Sequence, residues 1–260
     1  MLLRELDDDT AIAIGQPAHA WVSGQLARAW GNARFGDLVP REDVCLGAEQ
    51  HDIGMALWDR EPTLNRETGR PHTFMEMTLA VHLELWGAAP QRIVMQSRYA
   101  ALLVSMHGTA LYERRNLDRL EPARADAIRA YLRDQHELQE RLLAQLRRDT
   151  AIAESAAPAL VERNQRLVFC WDWLSLALCL RWAPDRFDGV PTAHGTTSLA
   201  LGETSEPDVV ALDPWPFAAA ELELKAEGRI LRGRYTDERA MREALAAADP
   251  VTLRFKLVQS

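Results

Sequence analysis

A single carboxylate in the middle of the most apolar stretch of the chain is the feature that most limits how it can fold. The run from Leu167 to Leu180, LVFCWDWLSLALCL, holds one charged residue, Asp172. The run falls short of the ~20 apolar residues that a membrane-spanning helix requires, and a charge at its centre makes insertion costlier still. A buried core helix follows. An ionised carboxylate there loses its hydration, so a cation or strong hydrogen-bond donors must replace the water. At helical spacing Gln165, Ser175 and Cys179 share its face, a narrow polar stripe that marks either a site or a buried hydrogen-bond network.

The rest of the chain suits such a core. Of 260 residues 47% are apolar and 26% charged, as in ordinary globular proteins, which allows one large domain or a domain with an appendage. The formal charge of -8, from 38 acidic against 30 basic residues, disfavours a polyanionic partner, and no nucleic acid is expected. Arg114-Arg115 and Arg147-Arg148 lie among acidic residues and read as solvated helix faces. Cys45, Cys170 and Cys179 follow no metal-ligand spacing and sit in apolar runs, which points to reduced thiols and a cytoplasmic protein. The opening MLLRELDDDT lacks the basic-then-apolar order of a secretion signal. No membrane partner is expected, and a homo-oligomer is left open.

Periodicity predicts two short strands, Leu2 to Glu5 and Thr10 to Ile14, joined as a hairpin, and then a first helix to Trp30 carrying His19. A second helix is expected from Arg41 to Trp58 with His51 and Asp52 on it, followed by a polar loop from Arg60 to Pro71. A third, Thr73 to Trp86, carries His82, and a fourth opens at Pro90 and reaches His107. Pro122 to Arg148 reads as a long surface helix, and Pro158 to Trp182 contains Asp172. From Ala183 to Gly202 the chain reads as loop. Strands are then expected at 209–212, 222–225, 230–235 and 251–258, with a hairpin turn at Glu227-Gly228 and a short helix capped by Asp237. This reading divides the chain into a helical domain, residues 1–183, and a β-rich C-terminal appendage, residues 184–260.

The His51-Asp52 doublet points more directly to chemistry. Neighbours on a helix point about 100° apart, so the pair grips one ion only if the ion sits between them at the helix flank. With His19 before it and Asp172 after it, the order His, His-Asp, Asp resembles the HD-domain superfamily of helical metalloenzymes. The segments QPAHAWVSGQLARAWG, EQHDIGMALWD, LLVSMHGTALY, DWLSLALC and ALDPWPF are similar to an uncharacterised bacterial family of HD-like proteins with a β-rich tail. The resemblance implies a mainly α, HD-domain-like bundle with a short N-terminal β-hairpin and a β-rich C-terminal appendage. It also implies one or two divalent metal ions: Asp52 bridging, His19, His51 and Asp172 on the first, and His82 and His107 on the second. Imidazole and carboxylate suit iron, manganese, nickel or zinc better than calcium. Taken singly, His82 and His107 read first as hydrogen-bonded core histidines, and it is their order along the chain that makes them candidate ligands. His136 and His194 fit a site less well.

Metal-assisted hydrolysis of a small phosphate ester is the leading expectation, with Asp52 and Asp59 as catalytic residues and Arg66, Arg70 and His72 binding a small-molecule substrate. Asp59 falls two helical turns after Asp52, and it equally suits a helix cap or an ion pair. HDIGM places Met55 where cyclic-dinucleotide phosphodiesterases of the superfamily carry a lysine, and their Gly-Tyr-Pro motif is missing. The alternatives are a diiron oxygenase, resembling inositol oxygenase and the phosphonate-cleaving HD oxygenases, and a non-catalytic metal-binding sensor. The strands after Val209 are expected to supply no metal ligand.

Overall fold

The computed structural model describes residues 1–260. Alternating burial in β1 (Leu2–Glu5) and near-complete burial in β2 (Thr10–Ile14) set these strands as an outer and an inner member of a sheet. Next come α1 (Gln16–Ala29), α2 (Arg41–Glu49) and the single turn of α3 (Ala56–Arg60), followed by a two-stranded ribbon, β3 (Leu64–Asn65) and β4 (Arg70–Pro71). Four longer helices succeed them: α4 (Leu79–Ile93), α5 (Arg98–Glu113), α6 (Pro122–Arg148) and α7 (Pro158–Leu180). The chain closes with β5 (Asp185–Pro191), β6 (Thr196–Glu203), β7 (Val209–Asp213), β8 (Glu221–Arg232), α8 (Glu238–Ala247) and β9 (Pro250–Gln259).

The N-terminal strands are not a separate hairpin. β2 pairs antiparallel with β8, Thr10 opposite Arg232 and Ile14 opposite Gly228, and the whole makes a seven-stranded sheet in the order β1-β2-β8-β9-β7-β6-β5. Only β7 and β9 run parallel. The sheet curls into a half-barrel, and the chain is about 51% helix and 22% strand. That overturns the mainly α, HD-domain bundle with an appended β-rich tail: strands from both ends of the chain form one sheet.

One hydrophobic core of 43 buried residues, from Leu2 to Leu257, joins this sheet to the helices, with α1 packed on β8 and α7 packed on β5 and β1. Arg4 on β1 fastens the two layers, donating to the carbonyls of Cys179 at 2.6 Å and Leu178 at 2.7 Å at the end of α7. These are the carbonyls a helix end leaves unpaired. No helix is long and apolar enough to cross a membrane.

Several boundaries differ from the sequence reading for identifiable reasons. Gly228 is no hairpin turn: β8 runs straight through it, and a Cβ there would stand 2.7 Å from Ile12 Cγ2. The glycine admits the neighbouring strand instead of bending its own. The segment expected as loop forms β5 and β6, paired from Asp185 opposite Leu201 to Pro191 opposite Thr196 with a register shift between Phe187 and Val190. Gly189 lies in that irregularity at φ 72°, so β5 is a bulged edge strand, where Asp, Gly and Pro are tolerated. Pro90 lies inside α4, and α5 begins after Ser97, whose hydroxyl accepts from Ala100 N at 3.0 Å. The expected second helix stops at Glu49.

Candidate metal centre

The break after α2 makes the site. Gln50 N bonds back to Leu46 O, and His51 and Asp52 then occupy a turn, with Asp52 at φ −104° and ψ 16° in the bridge region. The doublet is therefore not on a helix, and the two adjacent side chains are free to face one point. The turn is pressed against α4, where a Cβ on Gly54 would lie 2.3 Å from the carbonyl oxygen of Leu85. Facing the turn are His19 on α1 and Asp172 on α7. These helices pack because Val22, Leu26 and Ala27 of one and Trp171, Leu174 and Leu178 of the other share the core.

The hydrogen bonds around the cluster aim its lone pairs inward. His51 Nδ1 donates to Ala48 O at 2.7 Å, so the neutral ring carries its proton there, and Nε2 has no hydrogen-bond partner. Asp172 Oδ1 lies 3.3 Å and Asp52 Oδ2 3.7 Å from that nitrogen. His19 Nδ1 meets Ser175 Oγ at 2.8 Å, and its Nε2 meets Asp52 Oδ2 at 2.6 Å. Ser175 Oγ is itself 2.8 Å from the Asp172 carbonyl and accepts from Ser23 at 2.9 Å. With the Ser175 proton on that carbonyl, His19 is protonated on Nδ1, and its Nε2 lone pair faces a carboxylate oxygen. Two such atoms at that distance need a cation between them, either a proton or a metal ion. Donor atoms of His19, His51 and Asp172 all lie within 4.8 Å of one another, and Asp52 adjoins both histidines.

The electrostatics agree. Burial works against the charge on His51, but Asp52 and Asp172 outweigh it and raise the imidazole to about 9. Burial likewise pushes both carboxyls up, yet His51 and His19 hold Asp52 well below the carboxylate range, and His51, His107 and His19 hold Asp172 below it. Two ionised carboxylates thus face the imidazoles of His19 and His51 and make, with them, a set of nitrogen and oxygen donors. This donor set fits a divalent transition-metal ion. The Ser175 and Ala48 contacts fix two imidazoles from behind, as outer partners of metal-bound histidines do.

Beside the cluster opens a cavity of about 430 Å³, lined by His19, Asp52, His107 and Asp172 on one side and by Met55, Phe74, Met77, Leu79, Trp86, Leu111, Tyr112, Arg115 and Arg124 elsewhere. His107 Nε2 lies 3.6 Å from Asp172 Oδ2, its Nδ1 has no partner, and burial together with the neighbouring His51 lowers it to about 4. His82 lines the cavity but is not drawn into the cluster. Its Nε2 accepts from Trp86 Nε1 at 3.0 Å, its Nδ1 meets the Tyr112 hydroxyl, and burial lowers it to about 4.

The structure thus brings together His19, His51, Asp52, His107 and Asp172, and leaves the other expected residues elsewhere. Asp59 lines a different cavity, where it pairs with the Met1 amino group at 2.6 Å and accepts from Gln16 N. Arg70 is buried and donates to Gly233 O at 2.9 Å and Leu231 O at 3.3 Å, which ties β4 to the sheet. Arg66 is exposed in the β3–β4 turn, and His72 Nδ1 bonds Thr63 Oγ1 at 2.9 Å. Sequence reasoning missed Tyr112, Trp86, Arg115 and Arg124 as cavity residues. His107, Leu111 and Arg115 at four-residue spacing were the available signal, obscured because Arg115 reads as part of a solvated pair.

A family model described as "Protein of unknown function (DUF3891)" matches residues 1–233, a span that includes every residue of the cluster. No curated protein and no solved structure matches the chain. The match replaces the expected membership of an HD-domain family, as the seven-stranded sheet replaces the helical bundle.

Proposed function

Since the chain belongs to the DUF3891 family, whose description assigns no function, the reading has to come from the site, and we propose that this is a metal-dependent protein that hydrolyses a small-molecule substrate at a single divalent ion. The ion would be held by His19, His51 and Asp172 with Asp52 beside them; iron, manganese, nickel and zinc suit the donors. The observation that carries the reading is the convergence of buried ligand atoms, above all His51 Nε2, which has no hydrogen-bond partner and lies beside two ionised carboxylates.

A bound divalent ion would supply an electrophile that lowers the pKa of water and polarises a scissile bond. The chain supplies the remainder. Ser175 and the Ala48 carbonyl hold the two imidazoles in the orientation a ligand needs. His107, neutral at physiological pH, lines the cavity beside Asp172, where it can take or return a substrate proton. The apolar side chains of Met55, Phe74, Met77 and Leu111 limit water around a bound molecule. Three free, buried cysteines support a reducing, cytoplasmic setting.

The test is turnover of small chromogenic phosphate esters by chelator-treated protein reloaded with each of the four metals. Hydrolysis that requires metal and is lost in Asp172→Asn supports the reading. Metal uptake without turnover of any ester contradicts it.

A further inference from the structure

The cavity wall away from the metal cluster carries hydrogen-bond donors that the chain itself does not use. Trp86 Nε1 can only donate, and it does so to His82 Nε2 at 3.0 Å, so that nitrogen is unprotonated and His82 carries its proton on Nδ1. Nδ1 then donates to the Tyr112 hydroxyl oxygen. The phenolic hydrogen of Tyr112 is left with no acceptor in the chain, on a residue that lines the cavity. Arg115 packs its guanidinium 4.7 Å over the Tyr112 ring and ties only Nε to the Leu111 carbonyl, at 3.1 Å. Arg124, in the first turn of α6, lines the same cavity. Neither arginine forms an ion pair within the chain.

We propose that Tyr112, Arg115 and Arg124 form an oxyanion-binding subsite, and that the substrate is a small organic anion carrying a phosphate or carboxylate. Guanidinium groups bind either through paired N–H donors, and the directed Tyr112 hydroxyl adds a third contact. Tyr112 lies about 8 Å along α5 from His107, at 1.5 Å per residue. Apolar Leu111 stands between them on the same cavity, so an anion held at Tyr112 places the far end of a compact molecule beside the cluster. The assignment rests on the metal-assisted reading for which end reacts, but anion binding itself requires no metal.

Titration calorimetry of the full chain in chelator tests the subsite independently of the metal, with phenyl phosphate and phenylacetate as probes and benzyl alcohol as the uncharged control. The phosphate and carboxylate arms distinguish which anion fits. At least one anion should bind where the alcohol does not. Its dissociation constant should rise about tenfold or more in Arg115→Gln/Arg124→Gln and by a smaller factor in Tyr112→Phe, both of which leave the buried rings in place. If neither anion binds, or if the double arginine variant binds as tightly as wild type, the subsite is overturned and the metal reading stands. Anion binding that depends on these residues, in a protein that takes up no metal, supports the subsite while removing the metal reading.

Discussion

The metal-free protein should lose stability toward alkaline pH through His51, and the size of the loss follows from its surroundings. Asp52 and Asp172 raise this buried imidazole from 6.5 to about 9, which corresponds to about 3 kcal/mol between the two protonation states. A histidine whose folded pKa lies above its unfolded value contributes its full stability below pH 6.5 and loses it as pH rises through 9. For a chain of this size the loss translates to about 6–12 °C in melting temperature. The burial-lowered His82 and His107, both about 4, act in the opposite sense, but only between about pH 4 and 6.5. The Met1 amino group, lowered by burial from 8.0, opposes His51 within the window, so the quantity to read is a difference between proteins. Urea unfolding of wild type and His51→Gln in chelator, from pH 6 to 9.5, should show the wild-type advantage shrinking by about 3 kcal/mol. With metal present the proton is a competitor, and metal affinity should rise about tenfold per pH unit up to pH 9. Parallel stability profiles for the two proteins would refute the account of His51.

Asp172→Asn should weaken metal binding on the order of a hundredfold while the chelated variant melts close to wild type, because one of two neighbouring carboxylates is removed; equal destabilisation with and without metal would reject Asp172 as a ligand. Ser175→Ala frees the His19 ring and should weaken metal binding about 10–100-fold by calorimetric titration, and unchanged affinity would remove Ser175 from the site. Gly54→Ala forces a Cβ to within 2.3 Å of the Leu85 carbonyl and should cost about 1–3 kcal/mol together with metal affinity, whereas Gly87→Ala, with nothing within 4 Å, should lower neither in the same assays.

The centre of the site was legible because its signals are local. Asp172 stands out by its apolar neighbours, Ser175 by sharing its helix face, and the His51-Asp52 doublet by adjacency. His19 was found by its order along the chain. The same doublet misled the fold. Placed on a helix, it suggested a helical bundle, whereas Gln50 ends the helix and the pair owes its common aim to a turn. Sheet topology is carried by pairing between distant segments, and no local pattern in TAIAI announces that Ile12 will face Ile230. Gly228 was open to two readings, turn or close approach, and only the position of β2 decides between them. His82 could not be separated from His107 by sequence, because one of the two partners that occupy it, Tyr112, lies on a different helix.

Metal content bears most directly on the central claim. Protein purified without an affinity tag, stripped with chelator, reloaded with iron, manganese, nickel or zinc and dialysed should retain close to one ion per chain with at least one of them. X-ray absorption at the metal edge should report two imidazole ligands, from His19 and His51, with oxygen completing the shell. The ion should be lost in Asp172→Asn and kept in His82→Ala, since both His82 nitrogens are engaged elsewhere. No retained ion with any of the four metals, in a protein that remains folded, would contradict the account.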